Sequence, residues 1–299
     1  MKTPIYLLLI VCIFASCNTK QTKAEIDYTL YVNPFIGTDF TGNTYPGAQA
    51  PSVWCSSART TDFRDGTASP AIFIRTAPSP ASAYPPFGNR CRRLVRHLFH
   101  AGHTALQRGR SAAGIYSKFS HDEESAYAGY YQVRLKDYHI NVELTATERC
   151  GIQRYTFPKA EAAIFLNLKK AMNWDFTNDS HIEVVDSVTI QGYRYSDGWA
   201  RDQRIYFRTR FSKPFDKVKL DTTAIIKDKQ HIGTAVIARF DFHTEEGEQI
   251  LVNTAISGVS MEAQPRTCKA EVPENDFEQV SGRNKSKLEP PTGKDRSRE

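Results

Sequence analysis

The sequence predicts an all-β protein that folds as an antiparallel β-sandwich. From residue 114 onward, short runs rich in β-branched and aromatic residues alternate large apolar with polar positions, which is the period of half-buried strands. Turn-forming residues separate these runs, and no convincing amphipathic helix lies between them, as expected for two antiparallel sheets packed face to face. The predicted strands cover residues 130–136, 140–147, 152–157, 162–168, 188–195, 205–211, 234–242 and 249–256.

The amino terminus predicts export and a lipid anchor. The apolar run 5–15 is short for a membrane span and typical of a signal-peptide core. Small residues then lead directly into Cys17, an order that resembles a bacterial lipoprotein processing site. We therefore expect residues 1–17 to form a lipoprotein signal peptide in which Cys17 becomes acylated, and residues 18–25 to form a polar tether.

Such a lipid would hold the protein at a membrane without a transmembrane helix. The expected location is the cell envelope, as a lipoprotein of the outer membrane that faces either the periplasm or the outside. An ordinary secretory signal cleaved near the same place is the alternative.

Residues 33–51 read N-P-F-I-G-T-D-F-T-G-N-T-Y-P-G-A-Q-A-P, and their glycines and prolines predict a shaped loop. The stretch resembles the opening signature of glycoside hydrolase family 92, the calcium-dependent exo-acting α-mannosidases. That signature begins N-P-F-I-G-T and continues G-N-x-x-P-G-A-x-x-P-F-G-M. The resemblance covers roughly residues 26–277 and also implies a β-sandwich, the N-terminal domain of a two-domain enzyme.

The resemblance implies hydrolysis of α-mannosides with inversion, in which a general acid protonates the leaving oxygen and a separate base activates water. In the family these carboxylates and most calcium ligands belong to an (α/α)6-barrel domain that follows the sandwich. We expect that domain to be absent from this chain. The prediction is therefore a chain inactive on its own, with no catalytic residue, no metal ligand and no firmly bound cofactor, whose partner is a mannose-containing glycan.

Two loops are candidate sugar contacts. In the first, the glycines Gly42 and Gly47 allow close backbone approach, and Asn43 and Tyr45 offer an amide and a ring that can stack on a pyranose. A purely structural turn explains this loop equally well.

The second loop reads S-D-G-W, and its Asp197 and Trp199 place an acceptor beside an aromatic ring. A hairpin turn with a packed tryptophan is the alternative. The acidic run 121–124, H-D-E-E, could attract a cation, but adjacent residues rarely converge on one ion, so we expect a solvated loop there.

The family pattern stops after Pro51 and does not return until about Gly114. Neighbouring reading frames restore it: residues 51–62 can encode F-G-M-V-Q-L-S-P-D, and residues 86–106 can encode L-S-G-T-G-A-G-D followed by more family-like sequence. We therefore expect residues 52–113 to be out of frame and to lack stable packing. The same argument applies to residues 263–268 and to the tail 278–299, and nucleotide sequencing tests it.

Charge supports this interpretation. Residues 52–113 contain nine arginines, no lysine and two acidic residues, whereas the rest of the chain holds 30 basic and 31 acidic residues. The net charge of +6 therefore belongs to this segment. A basic patch can indicate nucleic-acid binding, but no amphipathic repeat or interleaved aromatic platform accompanies it, so we do not expect nucleic acid as a partner. The metal-like spacing of His97, His100 and His103 is accidental on this interpretation.

The six cysteines predict no disulfide framework. Once the signal peptide, the acylated Cys17 and the anomalous segments are set aside, Cys150 is the one ordinary cysteine of the mature chain. Its place in a predicted strand favours a buried thiol over a catalytic one.

Residues 273–277 predict the start of a helix, with acidic side chains in its first turn. Three functions remain open. The chain is the carbohydrate-binding N-terminal portion of an α-mannosidase, a stand-alone carbohydrate-binding lipoprotein, or a nonfunctional frameshifted gene product that folds poorly.

Overall fold

A computed structural model describes a set of segments of the chain. They are residues 28–38, 47–49, 56–61, 68–69, 71–75, 97–103, 117–168, 176–197, 201–220, 225–227, 230–233, 236–261, 271–272 and 276–287.

The described strands form two antiparallel sheets. The eight-stranded sheet has the order β1-β2-β4-β5-β10-β17-β14, with β3 on β2, and the ten-stranded sheet has the order β15-β16-β11-β12-β13-β18-β9-β8-β7-β6. The smaller sheet comprises β1 (Gly47–Gln49), β2 (Ser56–Thr61), β3 (Ala68–Ser69), β4 (Ala71–Arg75), β5 (His97–His103), β10 (Ala160–Asn167), β14 (Lys217–Leu220) and β17 (Ile237–Thr244). The larger sheet comprises β6 (Glu124–Tyr127), β7 (Tyr130–Leu135), β8 (Ile140–Ala146), β9 (Cys150–Phe157), β11 (Phe176–Val184), β12 (Thr189–Asp197), β13 (Gln203–Phe211), β15 (Ile225–Lys227), β16 (Gln230–Gly233) and β18 (Glu248–Ser257).

The core lies between the two sheets and is rich in aromatic side chains. Phe211 of the larger sheet packs its ring 5.1 Å from that of Phe240 and 5.7 Å from that of Phe242, both of the smaller sheet. All three rings are almost completely removed from solvent. Each such burial contributes about 2–3 kcal/mol relative to an exposed ring, so these contacts bind the two layers together. The antiparallel sandwich predicted from the sequence is confirmed.

Strand β12 shows why the alternating sequence sets the two faces of the larger sheet. Ile190, Arg194 and Ser196 are buried toward the other sheet, whereas Tyr193 and Tyr195 are half-buried on the outer face. Because successive side chains point to opposite sides of a strand, one face of β12 builds the core and the other presents polar and aromatic groups.

All eight predicted strands are present, with ends that differ by a few residues. Strand β11 was not predicted, because F-T-N-D-S-H-I-E-V is polar and a register shift between Thr177 and Asp179 interrupts its alternation. Cys150 is buried, as predicted, and forms no disulfide among the described residues.

Four described strands, β2 to β5, lie within residues 52–113. Their backbones pair β2 with β4, β4 with β5 and β5 with β10, so the smaller sheet continues through this range. The expectation that the segment lacks stable packing is wrong for the backbone of these strands. Ladder hydrogen bonds are made by main-chain groups and demand no particular side chain, so the reading frame of this segment stays a prediction.

The carboxyl-terminal helix α1 (Phe277–Lys287) begins where the sequence predicts a helix start. The N–H of Gln279 donates to Asp276 Oδ1 at 2.9 Å, which caps the first turn. Phe277 and Val280 pack against Tyr130, Cys150 and Ile152 on the outer face of the larger sheet. Among the described residues, no helix is long and apolar enough to cross a membrane.

Candidate functional site

The first part of the glycine-rich stretch forms two overlapping turns. The N–H of Phe35 donates to Asn33 Oδ1 at 3.0 Å, and the Thr38 hydroxyl donates to the Phe35 carbonyl at 2.9 Å. Gly37 has a φ of 73°, which a side chain would disfavour. The prediction of a shaped loop is confirmed for residues 33–38.

The end of the same stretch is tied to the core. Gly47 begins β1 and is half-buried, and Ala48 beside it is completely buried among the core side chains. Gly47 pairs with Ala58 of β2. Gly42, Asn43 and Tyr45 lie outside the described residues, as do Trp199 and Cys17, so their predicted roles stay predictions.

The second predicted sugar contact lies at one end of the larger sheet. Asp197 ends β12 and pairs in register with Phe176, the first residue of β11. Phe176 is 57% exposed, so its ring is accessible at this sheet end. Strand β12 pairs antiparallel with β13 as far as Ser196 opposite Gln203, and Ser196 and Asp197 belong to β12 itself. Residues 198–199 lie outside the described residues, so the alternative of a hairpin turn with a packed tryptophan stays open.

Asp197 is held as a carboxylate. The backbone N–H of Asp202 donates to its Oδ1 at 2.8 Å. That bond, together with one from the Asn178 side chain, holds the pKa of Asp197 below its usual range. Asp202 has a φ of 55°, so the hairpin loop turns its backbone toward the carboxylate. At neutral pH the group is therefore a charged acceptor at an exposed sheet end.

A fully buried arginine fixes this end of the sheet from the inside. Arg194 donates from Nε to the Leu168 carbonyl at 3.0 Å and to Thr177 Oγ1 at 2.8 Å, and from Nη1 to Ser196 Oγ at 3.1 Å. Thr177 and Ser196 are the immediate neighbours of Phe176 and Asp197. The hydrogen bonds of Arg194 thus fix the residues beside Phe176 and Asp197, which favours a preformed site.

Tyrosines extend the site across the outer face of the sheet. The rings of Tyr193 and Tyr195 stack at 4.3 Å, and the hydroxyls of Tyr195 and Tyr206 are 3.0 Å apart. Burial, with a hydrogen bond to Asp179, raises the pKa of Tyr193 to about 12. Burial and the hydrogen bond with Tyr206 likewise raise the pKa of Tyr195. The phenols of Tyr193 and Tyr195 are therefore neutral at physiological pH.

The Arg204 guanidinium lies 5.3 Å from the centre of the Tyr195 ring and donates to Asp202 Oδ1 at 2.8 Å. One end of the larger sheet therefore carries several groups that can contact a sugar. They are the Asp197 carboxylate, the exposed Phe176 ring, the tyrosine hydroxyls and the Arg204 guanidinium. Such a set can accept and donate hydrogen bonds to sugar hydroxyls while a ring covers an apolar sugar face. Phe176 was missed by the sequence analysis, although the neighbouring W-D-F triplet at 174–176 carried an aromatic signal.

The acidic run at 121–124 does not gather around a cation site. His121 Nδ1 lies 2.7 Å from Glu124 Oε2, and the Glu124 side chain is buried beneath the Tyr131 hydroxyl. Glu123 pairs with Lys136 at 3.1 Å, and Asp122 contacts Ser120. These carboxylates point to different partners.

Within the part of the chain that the structure describes, no group of three or more histidine, cysteine, aspartate or glutamate side chains could hold a metal ion. The family resemblance implies calcium, and the expectation that most of its ligands belong to another domain stays a prediction. His97, His100 and His103 lie on β5, and their side chains are outside the description.

The family model and the solved structures that match this chain point to the same family. The chain matches the model of the glycosyl hydrolase family 92 N-terminal domain over residues 97–257, more than half of its length. The match begins before residue 114, so the expectation that family likeness returns only there is wrong. No match is found among curated proteins.

Solved structures of similar fold include three glycoside hydrolases. The family GH92 α-mannosidase BT3965 from Bacteroides thetaiotaomicron, in complex with mannoimidazole, is 27% identical with a TM-score of 0.72, over 87% of this chain and 36% of that one. The inverting mannosidase BT2199 from the same organism is 21% identical with a TM-score of 0.69, over 89% and 36%. The GH92 glycosyl hydrolase ccman5 is 21% identical with a TM-score of 0.70, over 87% and 36%. The chain thus spans little more than a third of the length of these relatives.

Proposed function

Since the chain belongs to glycosyl hydrolase family 92 through its N-terminal domain, we propose that it is the glycan-binding sandwich of an α-mannosidase. The observation that carries this proposal is the likeness, at 27% identity over most of the chain, to an α-mannosidase whose structure was solved with mannoimidazole. The substrate of the whole enzyme is a mannose-containing glycan, and the reaction is hydrolysis with inversion.

Within that reaction the sandwich positions sugar and does not transfer protons. Inverting hydrolysis needs a general acid and a separated base on opposite sides of the scissile bond. The 299-residue chain covers 36% of the α-mannosidase it resembles, and we assign the acid and the base to the remainder of such an enzyme. No step of this proposal involves calcium.

The sheet end at Phe176 and Asp197 is the sugar-contacting part of the proposal. The exposed Phe176 ring covers an apolar face of the pyranose, while ionised Asp197 accepts from a pair of sugar hydroxyls. The set of proposed contacts is completed by Trp199 and by the loop that contains Gly42, Asn43, Tyr45 and Gly47.

The proposal also includes a lipid on Cys17 that keeps the sandwich at the cell envelope. Loss of fatty-acid labelling in Cys17→Ala tests this lipid anchor.

Substitution at the sheet end tests the sugar contacts. We expect Phe176→Ala and Asp197→Asn each to weaken binding of methyl α-mannoside by about tenfold, because each removes one of the main contacts. Titration calorimetry measures the change. Val185→Ala is the matched control, because Val185 is an exposed apolar residue just beyond the other end of β11. Equal affinities in all four proteins would remove this sheet end from the proposal.

A further inference from the structure

A second aromatic ring is presented to solvent at the far edge of the larger sheet. Tyr127 ends the edge strand β6 and is 44% exposed. Its ring stacks on that of Tyr130, its partner across a tight hairpin, with centres 4.5 Å apart and planes 11° apart. One face of Tyr127 is therefore covered by Tyr130.

The ring beneath Tyr127 is held from several sides. The Tyr130 hydroxyl lies 2.8 Å from Glu143 Oε1 and 2.9 Å from Gln132 Oε1. Its ring meets that of Phe277 edge-on at 6.2 Å. Glu143 is in turn bound twice by Arg154, at 2.6 and 2.7 Å. Because its support is rigid, Tyr127 loses little conformational freedom when a ligand covers it.

Polar side chains continue the same outer face beside Tyr127. Ser125 pairs with Gln132 in register, and Arg134 pairs with Asn141. Gln132 Nε2 donates to Asn141 Oδ1 at 3.1 Å, which leaves the Asn141 amide NH2 directed away from that bond. Within the described residues, neither the Asn141 NH2 nor the Ser125 hydroxyl has a hydrogen-bond partner.

These residues form three rows on the sheet, led by Tyr127 with Tyr130, then Ser125 with Gln132, then Arg134 with Asn141. Rows two residues apart are separated by about 7 Å, so the three rows span about 14 Å. A flat ring, two amides, a hydroxyl and an exposed guanidinium over this length suit a neutral, hydroxyl-rich ligand. Glu143 and Arg154 neutralise each other beneath it.

We propose that Tyr127, Ser125, Gln132 and Asn141 form a second sugar subsite, which binds a pyranose ring of the same mannose-containing glycan. The inference rests on the proposed function for the identity of the sugar. The subsite is separate from the sheet end at Phe176, because seven strand-to-strand steps lie between β6 and β11, a span of about 34 Å along the sheet. It therefore contacts a distant sugar of a large glycan or a second glycan chain.

A nuclear magnetic resonance titration of the full chain with mannotriose tests the proposal. We expect the ring resonances of Tyr127 in the wild-type protein to shift with saturation, and Tyr127→Ala to weaken that binding event about tenfold. Tyr127→Phe keeps the ring and retains binding. Tyr31→Ala is the control, because Tyr31 is 78% exposed elsewhere on the molecule. If Tyr127→Ala fails to fold, Asn141→Ala tests the same subsite, and we expect it also to weaken mannotriose binding.

The possible outcomes are distinguishable. If Tyr127 resonances stay unmoved while residues around Phe176 shift, the second subsite is overturned and the proposed function stands. If no resonance of the wild-type chain responds to mannotriose, both are overturned.

Discussion

At Gly192 the sandwich leaves no room for a side chain. A Cβ atom added there would lie 1.9 Å from the His181 carbonyl oxygen and 2.9 Å from Phe207 Cζ. The carbonyl belongs to the neighbouring strand and cannot move without breaking the ladder between β11 and β12. The position therefore selects glycine because of close backbone approach.

We expect Gly192→Ala to lower the free energy of unfolding by about 3 kcal/mol, since overpacking of a filled core is destabilising. Urea denaturation measures the change. Gly258→Ala is the control, because nothing lies within 4 Å of a Cβ added at Gly258. Equal stability of the two variants would contradict the packing described at Gly192.

Glu143 supports a prediction on pH. Burial acts to raise its pKa, but hydrogen bonds from Arg154 and Tyr130 outweigh burial and hold the pKa below its ordinary value. A group with a depressed folded-state pKa stabilises the protein above its unfolded pKa, about 4.3 for glutamate, and loses that contribution as the pH falls through the folded value.

The wild-type chain should therefore exceed Glu143→Gln in stability by the largest margin at pH 7, and the margin should shrink below about pH 4. Urea denaturation at a series of pH values measures this difference in stability between the two proteins. Glu246→Gln is a surface control. A margin that grows on acidification would contradict the assigned ion pair.

At the scale of elements, Arg154 couples the sheet to helix α1. Its Nη1 donates to Glu278 Oε1 at 2.7 Å, and its guanidinium lies 4.2 Å from the centre of the Phe277 ring. Thr147 and the backbone of Arg149 bind Glu271 just before the helix, at 2.5 and 3.0 Å. The carboxyl-terminal chain is thus anchored at two points, one on β9 and one in the turn between β8 and β9.

We expect Arg154→Ala to raise the amide hydrogen-exchange rate of α1 at least tenfold, because it removes the ion pairs and the ring contact together. Peptide-resolved exchange followed by mass spectrometry measures this. Strands β11 to β13 should keep their protection. Arg210→Ala, at an exposed position of β13, should leave α1 unchanged, and a similar effect of both variants would argue against the anchor.

The strands differ in how well they can be predicted from their own sequences. Strand β18, E-Q-I-L-V-N-T-A-I-S, is rich in β-branched residues and was predicted, whereas polar β11 takes its place through pairing with β12 and β16. Asp197 was predicted as a sugar contact from its sequence neighbours, and that role stays a prediction. Phe176 was not, because its exposure and its pairing with Asp197 arise from a contact between strands that no local pattern encodes.

At the scale of the whole molecule, two sheets enclose one aromatic core, and the outer face of the larger sheet remains available for other roles. One end of that face carries Phe176 and Asp197, its far edge carries Tyr127, and helix α1 packs between β7 and β9. In the proposed function, this division lets the same sheet hold the core together and present sugar contacts.

We propose that the sandwich binds mannosides and that hydrolysis needs groups which lie outside the sandwich. A single proton magnetic resonance experiment with methyl α-mannoside tests both parts, since saturation transfer reports binding and the anomeric signal of free mannose reports hydrolysis. We expect saturation transfer to the mannoside, weaker transfer to methyl α-glucoside, and no free mannose after prolonged incubation. Release of mannose, or the absence of any transfer to the mannoside, would contradict it.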